Sequence, residues 1–214
     1  MIKQVEFIPD EVIEEKAYQL LSSYEARFGK ITRPPVPMNR IIERHLDLKF
    51  DWDEIPDTDE EMILACLDPI EKRINMNSRH RDHFETYIGS EEYTLAHEVG
   101  HWEMHVFQGG KTQLQLPLLD PPQPFLCRAN TGDRREIQAN KYAAYLLMPH
   151  DLLKQAVSNE DVYHYPTLYR LKDYFGVTIS AFTKRLTEVG LIYIDKDGKI
   201  YPSRGKYQGN LSMF

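Results

Sequence analysis

The sequence predicts an α+β fold: amphipathic helices packed on a small sheet, followed by a helix–turn–helix closed by a β-hairpin. Two patterns predict it. Helical spacing of apolar residues recurs near the start, in the middle and near the end of the chain, and three β-compatible runs cluster between residues 46 and 77. The composition agrees, since 214 residues, 42% of them hydrophobic, suffice for one compact domain plus a small appendage and rule out a globally disordered chain.

Each element has its own signal. Pro9-Asp10 precede EVIEEKAYQLLSSYEARFG, in which Val12, Ile13, Ala17, Leu20, Leu21 and Tyr24 recur at helical spacing until Gly29 ends the run. A Pro-rich connection, TRPPVPMN, redirects the chain into a short second helix over 38–45. LDLKF (46–50), MILACL (62–67) and EKRINMN (71–77) alternate or run apolar, with acidic and Pro-containing turns at 51–61 and 68–69, and build the sheet. SEEYTLAHEVGHWEMHVF reads as a helix with Ser90 as N-cap, two acids in its first turn and Gly109-Gly110 at its end. Residues 111–134 hold Pro117, Pro121, Pro122 and Pro124 and little helical pattern, a connection long enough to carry function. RREIQANKYAAYLLM is the next helix and stops at Pro149. LYRLKDYF, GVTISAFTKRLTEVG and LIYIDKDGKIYPS then give helix, turn, helix and a hairpin turning at Asp197-Gly198, the outline of a small winged helix-turn-helix.

Charge divides the chain. The net charge is −7, the wrong sign for a nucleic-acid footprint over the whole molecule. Residues 165–214, with eight Lys/Arg against four Asp/Glu, carry +4 and leave −11 on residues 1–164. Cys66 and Cys127, the only cysteines, form neither a disulfide framework nor a Cys-x-x-Cys pair, which fits a reduced compartment. The start, MIKQVEFIPDEVIEEK, has acids where a signal peptide needs a basic start and an apolar core, and no apolar run of about 18 residues follows. The expectation is a cytoplasmic protein without a membrane span.

The sharpest motif is His97-Glu98-Val99-Gly100-His101, an HExxH pattern within the expected helix. An i, i+4 spacing puts both imidazoles on one face, about one turn apart, where they can ligate a single ion; neutral imidazole suits Zn²⁺. Glu98 projects beside that ion, placed to take a proton from water and hand it to a leaving amine. For 8 His and 18 Glu in 214 residues, chance supplies roughly 0.02 such matches, so the pattern favours a metal site over ordinary helix histidines.

A catalytic zinc wants a third protein ligand and an open position. His105 is one more i+4 step along, but on a straight helix residues 97 and 105 are separated by about 12 Å of rise, too far for ligands each ~2.0–2.2 Å from one ion. His105 therefore belongs behind the ligands. A metzincin continuation also fails, because Met104 and Phe107 stand where Gly and His would be needed. Glu136, which shares a helix face with Asn140, is a better candidate, and Ala139, Ala143 and Ala144 would let its helix lie close to the HExxH helix. Spacing alone leaves Glu136 open between metal ligand and first-turn acid. His80, His83, His150 and His164 have no paired ligand at useful spacing and read as surface or capping residues, and Cys127 as an ordinary packed cysteine.

Tyr93-Thr-Leu-Ala-His-Glu-Val-Gly-His101, His105, Cys127-Arg128, Glu136-x-x-Ala139-Asn140 and Ala143-Ala144-x-Leu-Leu-Met-Pro149 together resemble the ImmA/IrrE family of zinc-dependent metallopeptidases. The likeness covers most of residues 10–195 and includes Pro-Pro-Val-Pro (34–37) and Ile-Asn-Met-Asn (74–77); Tyr142 departs mildly, standing where Phe is common. The resemblance implies that His97, His101 and Glu136 bind Zn²⁺ and that Glu98 is the catalytic base. It also implies a protein substrate or partner, a helix-turn-helix transcriptional repressor of a mobile-element or stress-response operon. A substrate strand adding to the sheet edge beside the HExxH helix is the expected binding mode, with 106–134 as lid or specificity wall and Tyr93 or Tyr142 as candidate oxyanion donors.

The expected architecture is thus α+β: a minimal zincin-like metallopeptidase domain over 1–155, made of the small sheet, the HExxH helix and the third-ligand helix, and a winged-helix-like domain over 160–214. The competing reading is a non-proteolytic regulator that holds structural zinc and binds a repressor or DNA. A charge of +4 favours a protein-partner or structural role over DNA for the C-terminal segment.

Overall fold

The computed structural model describes residues 7–59, 62–108, 111–112, 125–128 and 134–202. Helix α1 (Asp10–Phe28) begins after Pro9 with Asp10 and Glu11 facing its positive end, and closes at Gly29, whose φ of +96° favours glycine. Ile13, Ala17, Leu20, Leu21 and Tyr24 are buried as their spacing predicts, whereas Val12 lies off that stripe and is exposed. The predicted second helix is present, but only Met38–Arg40 (α2) is α-helical; it widens into a π-helical turn over Ile41–His45.

The sheet has the order β1-β3-β2-β6, with β1 (Lys49–Asp53), β2 (Ile63–Asp68), β3 (Arg73–Asn77) and β6 (Phe125–Arg128). β1 runs parallel to β3, while β2 is antiparallel to both β3 and β6. β1 corrects the expected 46–50 strand. Asp47, at φ +55°, breaks the extended chain ahead of it, and as an outer strand β1 tolerates Asp51 and Asp53 on exposed positions. β6 was not foreseen: four residues after Pro124 are too few to show a period of two. β2 and β3 bury Ile63, Ala65, Leu67, Ile74 and Met76.

A short α3 (Arg81–Thr86) leads into α4 (Ser90–His101), the HExxH helix, which packs on β2 and β6. Its N-cap is Gly89 and not Ser90, which lies inside the helix and is buried. The reason is steric and conformational together. Gly89 has φ +87°, and a Cβ there would sit 2.5 Å from the backbone nitrogen of Val177. The α-helix does not run on to Gly109-Gly110 either; it becomes a π-helical turn over Trp102–Val106 and then a two-strand hairpin of β4 (Phe107–Gln108) and β5 (Lys111–Thr112).

Helix α5 (Arg134–Leu147) lies against α4. Gly100 permits the approach: a Cβ there would lie 3.1 Å from both the Cα and the carbonyl oxygen of Ala139. Pro149 ends α5 as expected but also opens α6 (His150–Val157), a helix the sequence reading missed; proline is well suited to a helix start. Then follow α7 (Tyr165–Phe175), capped by Gly176 at φ +64°, and α8 (Ile179–Glu188), capped by the Thr178 side chain. Strands β7 (Tyr193–Ile194) and β8 (Ile200–Tyr201) form the terminal hairpin, where Asp195 accepts the backbone N–H of Asp197 and of Lys199. No helix among the described residues is long and apolar enough to cross a membrane.

The C-terminal elements share one core with the rest. Leu168, Phe175, Phe182, Leu186 and Ile200 belong to the same buried cluster as Ile13, Ile74 and Leu95. Arg185 on α8 is 3% exposed; it donates to Glu14 on α1 and to the Met148 carbonyl, and lies 4.4 Å from the Tyr145 ring centre. Glu14 responds in kind: burial would raise its carboxyl, but Arg185 outweighs that and holds it below the usual value. Glu14→Ala would strand a buried guanidinium and is expected to cost about 1–3 kcal/mol, the half-exposed position of Glu14 moderating the loss. Denaturant unfolding checks this: Glu14→Leu/Arg185→Met should recover most of the loss, and an unchanged midpoint in Glu14→Ala would show that the pair does not hold α8 down.

Candidate metal centre

Two helices build the centre. α4 contributes His97, Glu98 and His101 from one buried stretch, and α5 contributes Glu136 from its first turn. The His97 and His101 Nε2 atoms are 3.0 Å apart; Glu136 Oε2 lies 3.0 Å from the first and Oε1 lies 3.2 Å from the second. His97, His101 and Glu136 form a group able to hold a metal ion, their ligand atoms all within 4.8 Å of one another. Among the described residues, no fourth His, Cys, Asp or Glu joins them.

The donor set fits a cation. His97 Nδ1 is 3.1 Å from Asn140 Oδ1, a carbonyl oxygen that can only accept, so the His97 hydrogen sits on Nδ1 and its Nε2 lone pair faces Glu136. His101 Nδ1 is likewise occupied, 3.1 Å from His105 Nδ1. Two imidazole lone pairs and a carboxylate thus converge, a concentration of acceptors that a proton or a metal ion must relieve. Burial pushes the imidazoles of His101 and His105 down, the latter to about 4, favouring the neutral ligand form. For Glu136, burial acts upward, but the imidazoles of His101 and His97, which donate to its carboxylate once they are protonated, outweigh burial and hold the carboxyl down to about 2. An ionised carboxylate and two neutral imidazoles suit a divalent cation of borderline softness.

Glu98 is fully buried and stays outside the ligand group. The Cys66 thiol on β2 is pushed up to about 12 by burial and by the charges of Glu98 and Asp68. Glu98 thus stands outside the group of His97, His101 and Glu136 while next in sequence to His97.

Other expected residues are placed differently. His105 does not join the group of His97, His101 and Glu136; its Nε2 lies 2.9 Å from Gln138 Oε1. Tyr93 donates its hydroxyl to the Asn140 carbonyl at 3.0 Å. Tyr142 is fully buried, packed beside Gly100, and burial followed by the charge of Glu103 raises its phenol well above the usual value. His164 is an exposed surface histidine bound to Asp161, whereas His80, bound to Asp57, is partly buried. The side chain of Cys127 and most of the 106–134 connection lie outside the described residues. Gln138 was missed by the sequence reading, since its partner His105 sits on another helix and no local spacing links the two.

Residues 88–187 match the family model described as the IrrE N-terminal-like domain, Peptidase_M78. No curated protein matches the sequence. Among solved structures, a Mycobacterium tuberculosis transcriptional regulator aligns with 92% of this chain at 16% sequence identity and a TM-score of 0.46. The chain spans 60% of that structure's length.

Proposed function

Because this chain carries an IrrE N-terminal-like domain of the ImmA/IrrE peptidase family over residues 88–187, we propose that it is a zinc-dependent endopeptidase with a gluzincin-like His₂Glu site. The observation that carries the reading is the convergence of His97, His101 and Glu136 with Glu98 held just outside them. Structural zinc sites are usually closed by four protein ligands, whereas three leave a position for substrate or water. Bound there, zinc supplies Lewis acidity, which polarises a scissile carbonyl and lowers the pKa of water towards ~7.

The chain's own residues do the rest. Asn140 and His105 hold the two imidazoles in orientation. Glu98 accepts a proton from the water as its oxygen attacks the scissile carbonyl carbon, and returns it to the amine nitrogen as the C–N bond breaks. A substrate strand has a natural seat on β6, the outer strand nearest α4, where main-chain hydrogen bonds would extend the sheet.

The substrate proposed is a helix-turn-helix transcriptional repressor controlling a mobile-element or stress-response operon. We assign the metallopeptidase role to a zincin-like domain over 1–155 and a partner-contact or structural role to a winged-helix-like domain over 160–214. Arg185, one of the two cations of α8, is committed to Glu14, which supports that role over DNA binding. Incubation of the full chain with the repressor encoded beside it tests the reading, with fragments read by mass spectrometry. Near-stoichiometric zinc and chelator-sensitive cleavage are expected; bound zinc with an uncut repressor, or salt-dependent binding to duplex DNA instead, would replace it with the regulatory reading.

A further inference from the structure

Neither the HExxH motif nor the family match explains a buried polar chain leading away from the centre. It begins at His101, passes to His105 and ends at Gln138, with separations of 3.1 and 2.9 Å. His101 is fully buried and Gln138 is 5% exposed, with His105 partly buried between them. The π-helical turn over Trp102–Val106 carries His105 beside His101, ring centres 5.1 Å apart, instead of leaving it to solvent.

We propose that His105 and Gln138 are positioning residues that lock the tautomer of His101 and thereby set the affinity of the centre for its metal, an inference that rests on the metal-binding part of the reading above. With the Gln138 amide oriented as in the structure, the proton inventory follows step by step. Gln138 Oε1 only accepts, so His105 carries its hydrogen on Nε2. His105 Nδ1 is then a lone pair and accepts from Nδ1–H of His101. His101 Nε2 is left with its lone pair directed at His97 and Glu136. Reversing the Gln138 amide would reverse every step and point a hydrogen of His101 at the place a metal must occupy.

His97 reaches the same state in one step, through Asn140. Helix α5 therefore controls both ligands of α4: Glu136 closes the donor set, Asn140 orients His97, and Gln138, through His105, orients His101. Such outer partners fix ring orientation and raise ligand basicity.

Histidine-¹⁵N NMR of the metal-free full chain at pH 8 reads the tautomer, and chelator competition reads zinc affinity. Wild type should show His101 protonated at Nδ1. Gln138→Leu and His105→Phe should mix the tautomers and weaken zinc binding roughly 10–100-fold. Gln138→Glu, which keeps an acceptor at the same point, should retain both the tautomer and the affinity. Circular dichroism identifies any variant that fails to fold, and Gln138→Glu then carries the comparison by its tautomer alone. The inference is overturned if His101 of the wild type is protonated at Nε2, if folded Gln138→Leu and His105→Phe hold zinc as tightly as wild type, or if X-ray absorption shows that His105→Phe removes a zinc-bound imidazole. A chain that holds zinc with the expected tautomer and cuts nothing overturns the peptidase reading and leaves this one standing.

Discussion

Glu98→Gln is expected to keep its zinc and its fold while losing roughly 10²- to 10⁴-fold in kcat/KM against the cognate protein. The substitution keeps the shape of the side chain and replaces a carboxylate that can take a proton with an amide that cannot. Metal retention follows because Glu98 lies outside the group formed by His97, His101 and Glu136. Stability should hold as well, since the change removes a charge from a fully buried position. An independent reading is available at Cys66, whose thiol is pushed up by burial and then by Glu98; in the variant it should titrate lower, though burial keeps it above an ordinary thiol. A variant that still cleaves near the wild-type rate, with zinc bound, would remove Glu98 from the chemistry.

Acid should strip the metal through the histidines and leave the carboxylate ionised. Glu136 stays ionised down to about pH 2, so it does not compete with the ion over the ordinary acid range. The imidazoles do: each must be neutral to ligate, and burial holds that of His101 below its usual value. As pH falls through and below ~6.5, up to two protons compete with each ion, and affinity should drop by as much as about 100-fold per pH unit. Any stability contributed by bound metal disappears over the same window, since the ion favours only the folded state. Dialysis at stepped pH with metal analysis checks the curve. Full retention at pH 4 would exclude two-histidine ligation, and Glu136→Gln should shift the whole curve towards weaker binding without changing its slope.

Much of this site was readable along the chain because its parts are local. The HExxH spacing places His97 and His101 on one face wherever that helix lies; His105, set aside on the rise of a straight helix, does not join their group with Glu136, although a π-helical turn brings it beside His101. Glu136 was different. Its spacing was equally compatible with a first-turn acid, and a resemblance, not a distance, tipped it towards the metal. The structure supplies the distance through Gly100 and Ala139, whose missing side-chain bulk lets α4 and α5 meet. Boundaries were misread where long-range partners override local signals. Ser90 looks like an N-cap, but the backbone of Gly176-Val177 requires glycine at 89. Asp51 and Asp53 look like turn residues, but pairing with β3 draws them into an outer strand.

Periodicity and short motifs encode what lies within a turn or two of a residue, so helix identity, the two imidazoles and the neighbouring carboxylate were all fixed before any folding was considered. Contacts across tens of residues carry no such signature. The meeting of Glu136 with the imidazoles, the addition of β6 beside β2, the burial of Arg185 against Glu14 and the line from Gln138 through His105 to His101 each depend on how whole elements pack. Burial and neighbours then decide the chemistry together. Excluding water favours the neutral imidazole of His101, while the histidines beside Glu136 keep its carboxyl ionised against the opposing effect of burial, and these are the forms a metal ion requires.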